Sequence, residues 1–293
     1  MELPLVSILI TSYNRASYIE AAIESALNQT YSNVEIIITD NCSTDGTQVI
    51  LEKYAKYENV HLYINETNIG QFPNRNKAAM LANGKYLKYL DSDDLLYPHS
   101  VSVMVSAMET LPDAGLGISF EIMDIAHPPF PFALEPVEAI QLHYKKGLLF
   151  PAPGAIIYRK TVFDEFQGFQ DWGLPSDNLL TLKIASKYKT LAMPTHLLWW
   201  RRHEEQEFNN MSENPQVQVQ YYKINYTVLL SKDQPVSKKE AQYFLRCHKT
   251  RLCRISLGYL LKGRISAFKQ LVQHTPLSVS DFLISVVPVK YFS

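Results

Sequence analysis

Asp91-Ser92-Asp93-Asp94 sets three carboxylates within four residues, directly behind the apolar run Tyr86-Leu87-Lys88-Tyr89-Leu90. Carboxylates two apart on a turn can share a hard divalent cation, which prefers oxygen ligands. One use of such a cation is to neutralise the charge that builds on a departing diphosphate. The same tetrapeptide also suits a solvated acidic turn that caps the next helix.

Asp40 follows a second apolar run, Val34-Glu35-Ile36-Ile37-Ile38-Thr39. A carboxylate at a strand's carboxyl end can accept hydrogen bonds from a base or a ribose, or serve as a turn residue. Phosphatases of the haloacid dehalogenase type also put D-x-D after a strand. There the cluster continues with small Gly or Thr residues and follows the first strand. Here it continues Asp94-Leu95-Leu96 and follows the fourth. No G-x-G-x-x-G and no Walker loop occurs, which argues against a dehydrogenase or a P-loop enzyme.

These clusters need a frame that presents strand ends together. Leu5 to Ile10, Val34 to Thr39, Val60 to Ile64 and Lys85 to Leu90 read as strands, short and apolar. Between them the spacing of Ile19, Ala22, Ile23, Ala26 and Leu27 predicts a helix, opened by a capping box at Ser17-Tyr18-Ile19-Glu20. Gln48 to Tyr57 is expected as a second helix. A third starts around Pro73 and ends before Gly84, and a fourth runs from Pro98 to about Thr110. Gly115 to Phe120 suits a fifth strand. This alternation predicts a doubly wound, mainly parallel sheet, whose ligands bind at the carboxyl ends of its strands. Residues 124–136, with four prolines, read as a surface loop, and Pro153 to Tyr158 as a strand. Ser176 to Lys187 reads as a helix with a good N-cap, Leu191 to Trp200 as extended, and the chain from Pro215 onward as helical and more basic.

Bulk properties narrow the class. The 293 residues are 46% hydrophobic, enough for one large domain or a domain with an appendage. With 28 Lys and Arg against 29 Asp and Glu, no basic field argues for nucleic acid as a partner. Cys42, Cys247 and Cys253 match no disulfide framework and no zinc spacing, as expected of reduced thiols. No targeting segment is expected at Met1-Glu2, and no stretch reaches the ~18–20 apolar residues of a membrane span. A cytoplasmic setting is the expectation.

Four ordered segments together carry a resemblance. Val6 to Arg15 leads into Ile36-Ile37-Ile38-Thr39-Asp40-Asn41-Cys42-Ser43-Thr44-Asp45-Gly46-Thr47. Asn68-Ile69-Gly70 precedes Arg75-Asn76. Ala82-Asn83-Gly84-Lys85-Tyr86 runs into Leu90-Asp91-Ser92-Asp93-Asp94. Over roughly residues 4–205 the chain resembles family 2 glycosyltransferases of the GT-A fold. The resemblance implies that Thr11, Tyr13, Asp40 and Arg75 contact the nucleoside of a sugar nucleotide, with Tyr13 offering a ring face. It implies Asp91 and Ser92 near the ribose or metal, Asp93 as the main ligand of Mn²⁺ or Mg²⁺, and Asp94 as a helix cap.

Gly168-Phe169 and then Leu174-Pro175-Ser176-Asp177-Asn178-Leu179-Leu180 resemble the family's G-F…E-D-x-x-L segment. Asp177 aligns with the acid that usually serves as catalytic base. Ser176 departs from the pattern by replacing the first acid, which makes Asp171 a competitor. A helix start is expected to lower the pKa of Asp177 and keep it ionised near neutrality; a plain N-cap is the alternative. Trp199-Trp200-Arg201-Arg202-His203 resembles the family's terminal R-x-H element. By that resemblance His203 completes the metal sphere or meets the diphosphate, and an Arg pairs with phosphate oxygens. Trp172, Trp199 and Trp200 suit either a sugar platform or packing.

The expectation is therefore a GT-A catalytic domain over 1–210 and a helical C-terminal extension over 211–293. The reaction implied is an inverting, metal-dependent transfer from a nucleoside-diphosphate sugar, UDP-linked by the commonest family habit, to a saccharide or lipid-linked acceptor. Its implied setting is bacterial surface polysaccharide assembly at the inner face of the cytoplasmic membrane. The basic C-terminal region is open to three readings: contact with anionic lipid, a hairpin packed on the catalytic domain, or a homodimer interface. A catalytically silent sugar-nucleotide-binding or scaffold subunit is the alternative, resting on Ser176.

Overall fold

The computed structural model describes residues 2–119, 129–147, 149, 152–203 and 214–285. The apolar runs become β1 (Val6–Ser12), β2 (Val34–Asp40), β3 (Val60–Ile64) and β4 (Tyr86–Asp91). Each pairs in parallel with its neighbour in the order β3-β2-β1-β4. Thr11 and Ser12 stand opposite Thr39 and Asp40, and Thr11 opposite Asp91. The three polar clusters thus share one sheet edge, as a doubly wound sheet requires.

Beyond β4 the sheet becomes mixed. β6 (Ala114–Ser119), β7 (Phe132–Leu134), β8 (Ile156–Arg159) and β9 (Lys189–Met193) extend it in the order β4-β8-β6-β9-β7. β8 runs antiparallel to both β4 and β6. A separate antiparallel pair joins β5 (Leu95–Leu96) to β10 (Leu198–Trp199). The expected loop over 124–136 falls partly outside the described residues, and its last part is β7, followed by the helix α5 (Pro136–Lys146).

Side-chain alternation divides the core between the two faces of the sheet. Ile8, Ile10, Ile36 and Ile38 pack under α1 (Ile19–Leu27), α2 (Thr47–Glu52) and α4 (Ser100–Thr110). Leu9, Ile37, Leu87 and Tyr89 pack under α3 (Gln71–Leu81), α5, α6 (Lys160–Glu165) and α7 (Ser176–Lys187). The capping box expected at Ser17 does not form. Instead α1 starts after Tyr18, and Tyr18 and Ile19 both donate to the Arg15 carbonyl, each at 2.9 Å. α2 ends before Tyr57 because Lys53 and Tyr54 close shorter turns onto Ile50 and Leu51.

The C-terminal region folds as α8 (Pro215–Leu229), α9 (Lys238–Leu261), α10 (Ile265–Gln273) and α11 (Val279–Ser285). Ile224, Val228, Ala241 and Phe244 join the core beneath the sheet, so α8 and the start of α9 pack on the domain. The expected boundary near 210 lies outside the described residues. Val219, Tyr222, Leu252, Tyr259 and Leu271 form a smaller cluster further along. No helix among the described residues is long and apolar enough to cross a membrane.

His143 on α5 and His248 on α9 sit where these layers meet, with His248 stacked 6.0 Å from Tyr222. Burial pushes the His143 imidazole down to about 3, helped by His248, and pushes His248 down to about 4, helped by Arg251. In the unfolded chain both titrate near 6.5. Below that pH the unfolded state binds more protons, so their contribution to stability is complete above 6.5 and declines as pH falls toward 4. The melting temperature is expected to drop between about pH 6.5 and 5, above most carboxylate titration. A His143→Gln/His248→Gln variant should flatten that slope; equal slopes would exclude the histidines as its cause.

Candidate active site

The three strand ends border a cavity of about 840 Å³, within the range of small-ligand sites. Its walls include Thr11, Tyr13, Arg75, Asp91, Ser92, Asp93 and Asp177. Seven of the nine residues expected at the site therefore face one space. Asp40 and His203 do not line it.

The loops after β1 and β2 are laced together. Asn14, in the left-handed region at φ 51, donates its amide to Ser43 Oγ at 2.8 Å and accepts from the Thr44 amide at 2.9 Å. Arg15 N donates to Thr47 Oγ1 and Ala16 N to Asp45 Oδ2. The polar run Ser43 to Thr47 thus satisfies backbone donors that the turns leave open. Asp40 is drawn into this lacing. It is 0% exposed, and its carboxylate accepts from Ser43 N at 2.9 Å, Ser43 Oγ at 2.5 Å and Gln48 Nε2 at 3.1 Å. These bonds give Asp40 a turn-building role.

The Asn68-Ile69-Gly70 turn is held by Asn41, which donates to Asn68 Oδ1 and accepts from Ile69 N. It feeds α3, on which Arg75 is nearly buried and donates from Nη2 to Asp91 Oδ1 at 2.6 Å. Burial opposes the guanidinium charge, but Asp91 and Asp177 outweigh it, so the Arg75 pKa is raised. The next residue, Asn76, donates to the Phe169 carbonyl at 2.8 Å and accepts from the Phe169 amide at 2.9 Å. The adjacent Arg75 and Asn76 thereby tie the β4 end to the segment that leads into α7.

The Asp91–Asp94 turn closes through Asp94 N donating to Asp91 O at 2.9 Å. Pairing of β5 with β10 brings residues 201–203 onto it. Asp94 is buried and accepts from Arg201 N at 3.0 Å, while Arg201 Nε donates to Asp93 O at 2.8 Å. Burial, then the Asp91 charge, pushes Asp94 up to about 7. Asp94 therefore anchors β10 and does not cap α4, which starts at Ser100 behind His99. The Arg201 guanidinium lies over the Tyr18 and Trp199 rings, at 5.3 and 5.0 Å.

His203 Nε2 lies 3.0 Å from Asp93 Oδ2, and Arg15 Nε 3.5 Å from the same oxygen. Asp91 instead faces Arg75. Among the described residues no three His, Cys, Asp or Glu side chains gather as a metal-binding group. Asp93 and His203 thus stand together as a carboxylate–imidazole pair, with Asp91 drawn to Arg75. Such a pair fits a divalent cation of the Mg²⁺ or Mn²⁺ kind, which takes one or two protein ligands and completes its shell with phosphate oxygens and water.

Asp177 enters the cavity from the first turn of α7. Its Oδ1 accepts from Asn178 N at 2.7 Å. Ser176 holds the turn before it, accepting from Trp172 N at 2.8 Å and donating to Gly173 O at 2.6 Å. Asp171 lies outside this cavity. Burial pushes Asp177 up to about 6 against the pull of the Arg75 guanidinium and the Asn178 amide. The expected lowering by the helix end is overturned, because desolvation exceeds the favourable contacts.

Several wall residues were not legible in the sequence as functional. Arg15 follows the β1 motif and brings a cation beside Asp93; a charge just past a strand end was its only signal. His196, at φ 64, and Tyr221 of α8 reach the cavity from distant segments and carry no local signature. Lys88 is 0% exposed within β4, where Nζ donates to Tyr89 O at 3.0 Å and also to Gly154 O. It steadies the Pro153–Ala155 turn of the cavity wall, and burial pushes it down to about 7. Of the tryptophans, Trp200 lines the cavity and Trp172 packs against the core.

The chain is similar to several known proteins. The TuaG protein of Bacillus subtilis (strain 168), named provisionally as a teichuronic acid biosynthesis glycosyltransferase, is 48% identical over 92 residues, 31% of this chain and 36% of its own length. The Escherichia coli UDP-Glc:alpha-D-GlcNAc-diphosphoundecaprenol beta-1,3-glucosyltransferase WfaP is 43% identical over 106 residues, 36% of this chain and 42% of its own length. The aligned part is thus well under half of either relative. The crystal structure of S. aureus TarS 1-349 with UDP-GlcNAc superposes with a TM-score of 0.74 at 19% identity, over 96% of this chain and 81% of that one. The mannosyltransferase PcManGT of Pyrobaculum calidifontis, with GDP-Man and Mn²⁺, gives 0.61 at 14% identity, over 98% and 87%. These likenesses establish the GT-A fold. The glycosyl transferase family 2 model matches residues 7–166, a span holding all three strand-end clusters and the Arg75 helix between them, and the chain belongs to that family.

Proposed function

We propose that the chain transfers a sugar from a nucleoside diphosphate donor to a hydroxyl acceptor, with inversion, in assembly of a surface polysaccharide or glycolipid. The observation that carries this reading is the convergence of Asp177 and the Asp91–Asp93 turn on one cavity, with Arg75 charged between them. Asp177 takes the proton of the acceptor hydroxyl. The acceptor oxygen then forms its bond to the anomeric carbon as the bond from that carbon to the diphosphate oxygen breaks. The electron pair leaves on the nucleoside diphosphate. A single displacement needs one base and no covalent nucleophile, which is why inversion is proposed. Asp93 and His203 would hold a divalent cation, which would supply charge neutralisation at the diphosphate. Arg15 and Arg75 add fixed positive charge on the same side. Tyr13, 45% exposed at the rim, offers its ring to the base.

Uridine is the proposed base. WfaP is named for a UDP-Glc donor and TarS was crystallised with UDP-GlcNAc, whereas PcManGT carries GDP-Man. Catalytic silence is not favoured, because Ser176 serves the turn while Asp177 keeps its place in the cavity. A thermal-shift screen with UDP-, GDP- and dTDP-sugars, each with Mn²⁺, tests the donor. A bound donor at 100 times its Kd stabilises by about 2.7 kcal/mol. The UDP-sugars are expected to give the largest rise in Tm. No shift with any of the three would remove the sugar-nucleotide reading.

A further inference from the structure

A second hollow of about 290 Å³ opens beside the main cavity, and the two share Gln71, Phe72 and Leu174 in their walls. That volume lies at the lower end of ligand sites and suits one ring-sized unit. Its polar side chains come from three places in the fold: Gln71 at the start of α3, Asp171 before α7, and Asn214, Gln216 and Gln220 at the cap and first turns of α8. Residues four apart share a helix face, so Gln216 and Gln220 present their amides together.

Gln220 Oε1 is shielded from solvent and has no hydrogen-bond partner. A shielded acceptor left open is costly unless something fills it. Gly173 makes its position feasible. At φ +88 this glycine carries no Cβ, and one built there would stand 2.0 Å from Gln220 Nε2. Asp171, which lines the same hollow, accepts from Gly173 N through Oδ1 at 3.2 Å.

The chemistry of the wall selects the ligand. Amides both donate and accept, and a carboxylate accepts, as a polyhydroxylated ligand requires. Among the described residues no Lys, Arg or His lines the hollow, and Asp171 is the one charged residue in its wall. A phosphate or a uronate would face the Asp171 charge there with no cation among the described wall residues to offset it. Position adds the rest: Leu174 borders both spaces, and Asp177 follows three residues later in the main cavity.

We propose that this hollow is an acceptor subsite for a neutral saccharide unit, next to the unit whose hydroxyl meets Asp177. The proposal rests on the glycosyl-transfer reading above. The test uses the full chain with UDP and Mn²⁺. Saturation-transfer NMR is recorded with cellobiose, lactose and N,N′-diacetylchitobiose, and with a uronate-containing hyaluronan disaccharide. At least one neutral disaccharide is expected to bind, and more tightly than the uronate. The Gln216→Ala/Gln220→Ala variant should bind it roughly tenfold more weakly, one to two hydrogen bonds' worth, with UDP affinity by calorimetry unchanged. Should the double variant fail to fold, the exposed single change Gln216→Ala serves, with a smaller loss. The proposal is overturned if no neutral disaccharide binds the wild type, if the uronate binds equally well, or if the folded variants keep full affinity. A wild type that binds disaccharide but no nucleotide would overturn the donor reading and leave the saccharide site standing.

Discussion

Asp177→Asn is expected to lower kcat by about 10²–10⁴-fold while nucleotide affinity stays close to wild type. The amide is nearly isosteric and its oxygen can still accept the Asn178 N–H bond, so the turn held by Ser176 should persist. It has no affinity for the acceptor's proton near neutrality. The wild-type pH profile supplies a second readout. Burial pushes Asp177 up to about 6, so the base is progressively protonated as pH falls through that value. Turnover should decline on the acid side with an apparent pKa near 6, and the variant's residual rate should lack that limb. The raised pKa also means that the folded state carries the charge at a cost above the unfolded value of 3.8. Removing the charge should leave the melting temperature at or above wild type. Unchanged turnover in a folded variant would take Asp177 out of the mechanism.

Asp93→Ala is expected to abolish the part of UDP affinity that depends on Mn²⁺, a loss of about 10–100-fold for one charged ligand. Asp93 is where His203 and Arg15 converge, so the change also removes the carboxylate that both share. Calorimetry of UDP with and without Mn²⁺ reads this directly. The wild type should bind more tightly with metal, and the variant equally weakly in both conditions. Equal wild-type affinities would show the metal assignment to be wrong. Asp94→Asn makes a sharp control. Asp94 already sits near 7, and it serves Arg201 N through an oxygen that the amide keeps. Its nucleotide affinity should still respond to Mn²⁺.

The two variants probe residues whose legibility differs. Local patterns sufficed for the frame. The four apolar runs lie within two residues of the bounds of β1 to β4, and Ser176 to Lys187 coincides with α7. Strand runs and helical spacing are set by near neighbours, so a short window contains them. The acidic turn at Asp91–Asp94 was legible for the same reason, since it abuts its strand. Strand β7 lies where the proline-rich segment suggests only a loop, and helix α5, which no expected element covers, follows it. Their apolar positions are defined by packing on β9 and the core, far away in sequence.

By itself, then, the sequence determined the fold class, the sheet edge where ligands gather, and the residue types standing there. Only the tertiary structure decided which partners those residues meet. It took Asp40 into a turn, gave Asp94 to Arg201, set Asp91 on Arg75, and brought His203 to Asp93 through pairing of β10 with β5. It also reversed the direction expected for the Asp177 pKa. The physical reason is common to all of these. A carboxylate's role depends on which donors reach it and how much water it keeps, and both are fixed by chain segments tens to hundreds of residues away.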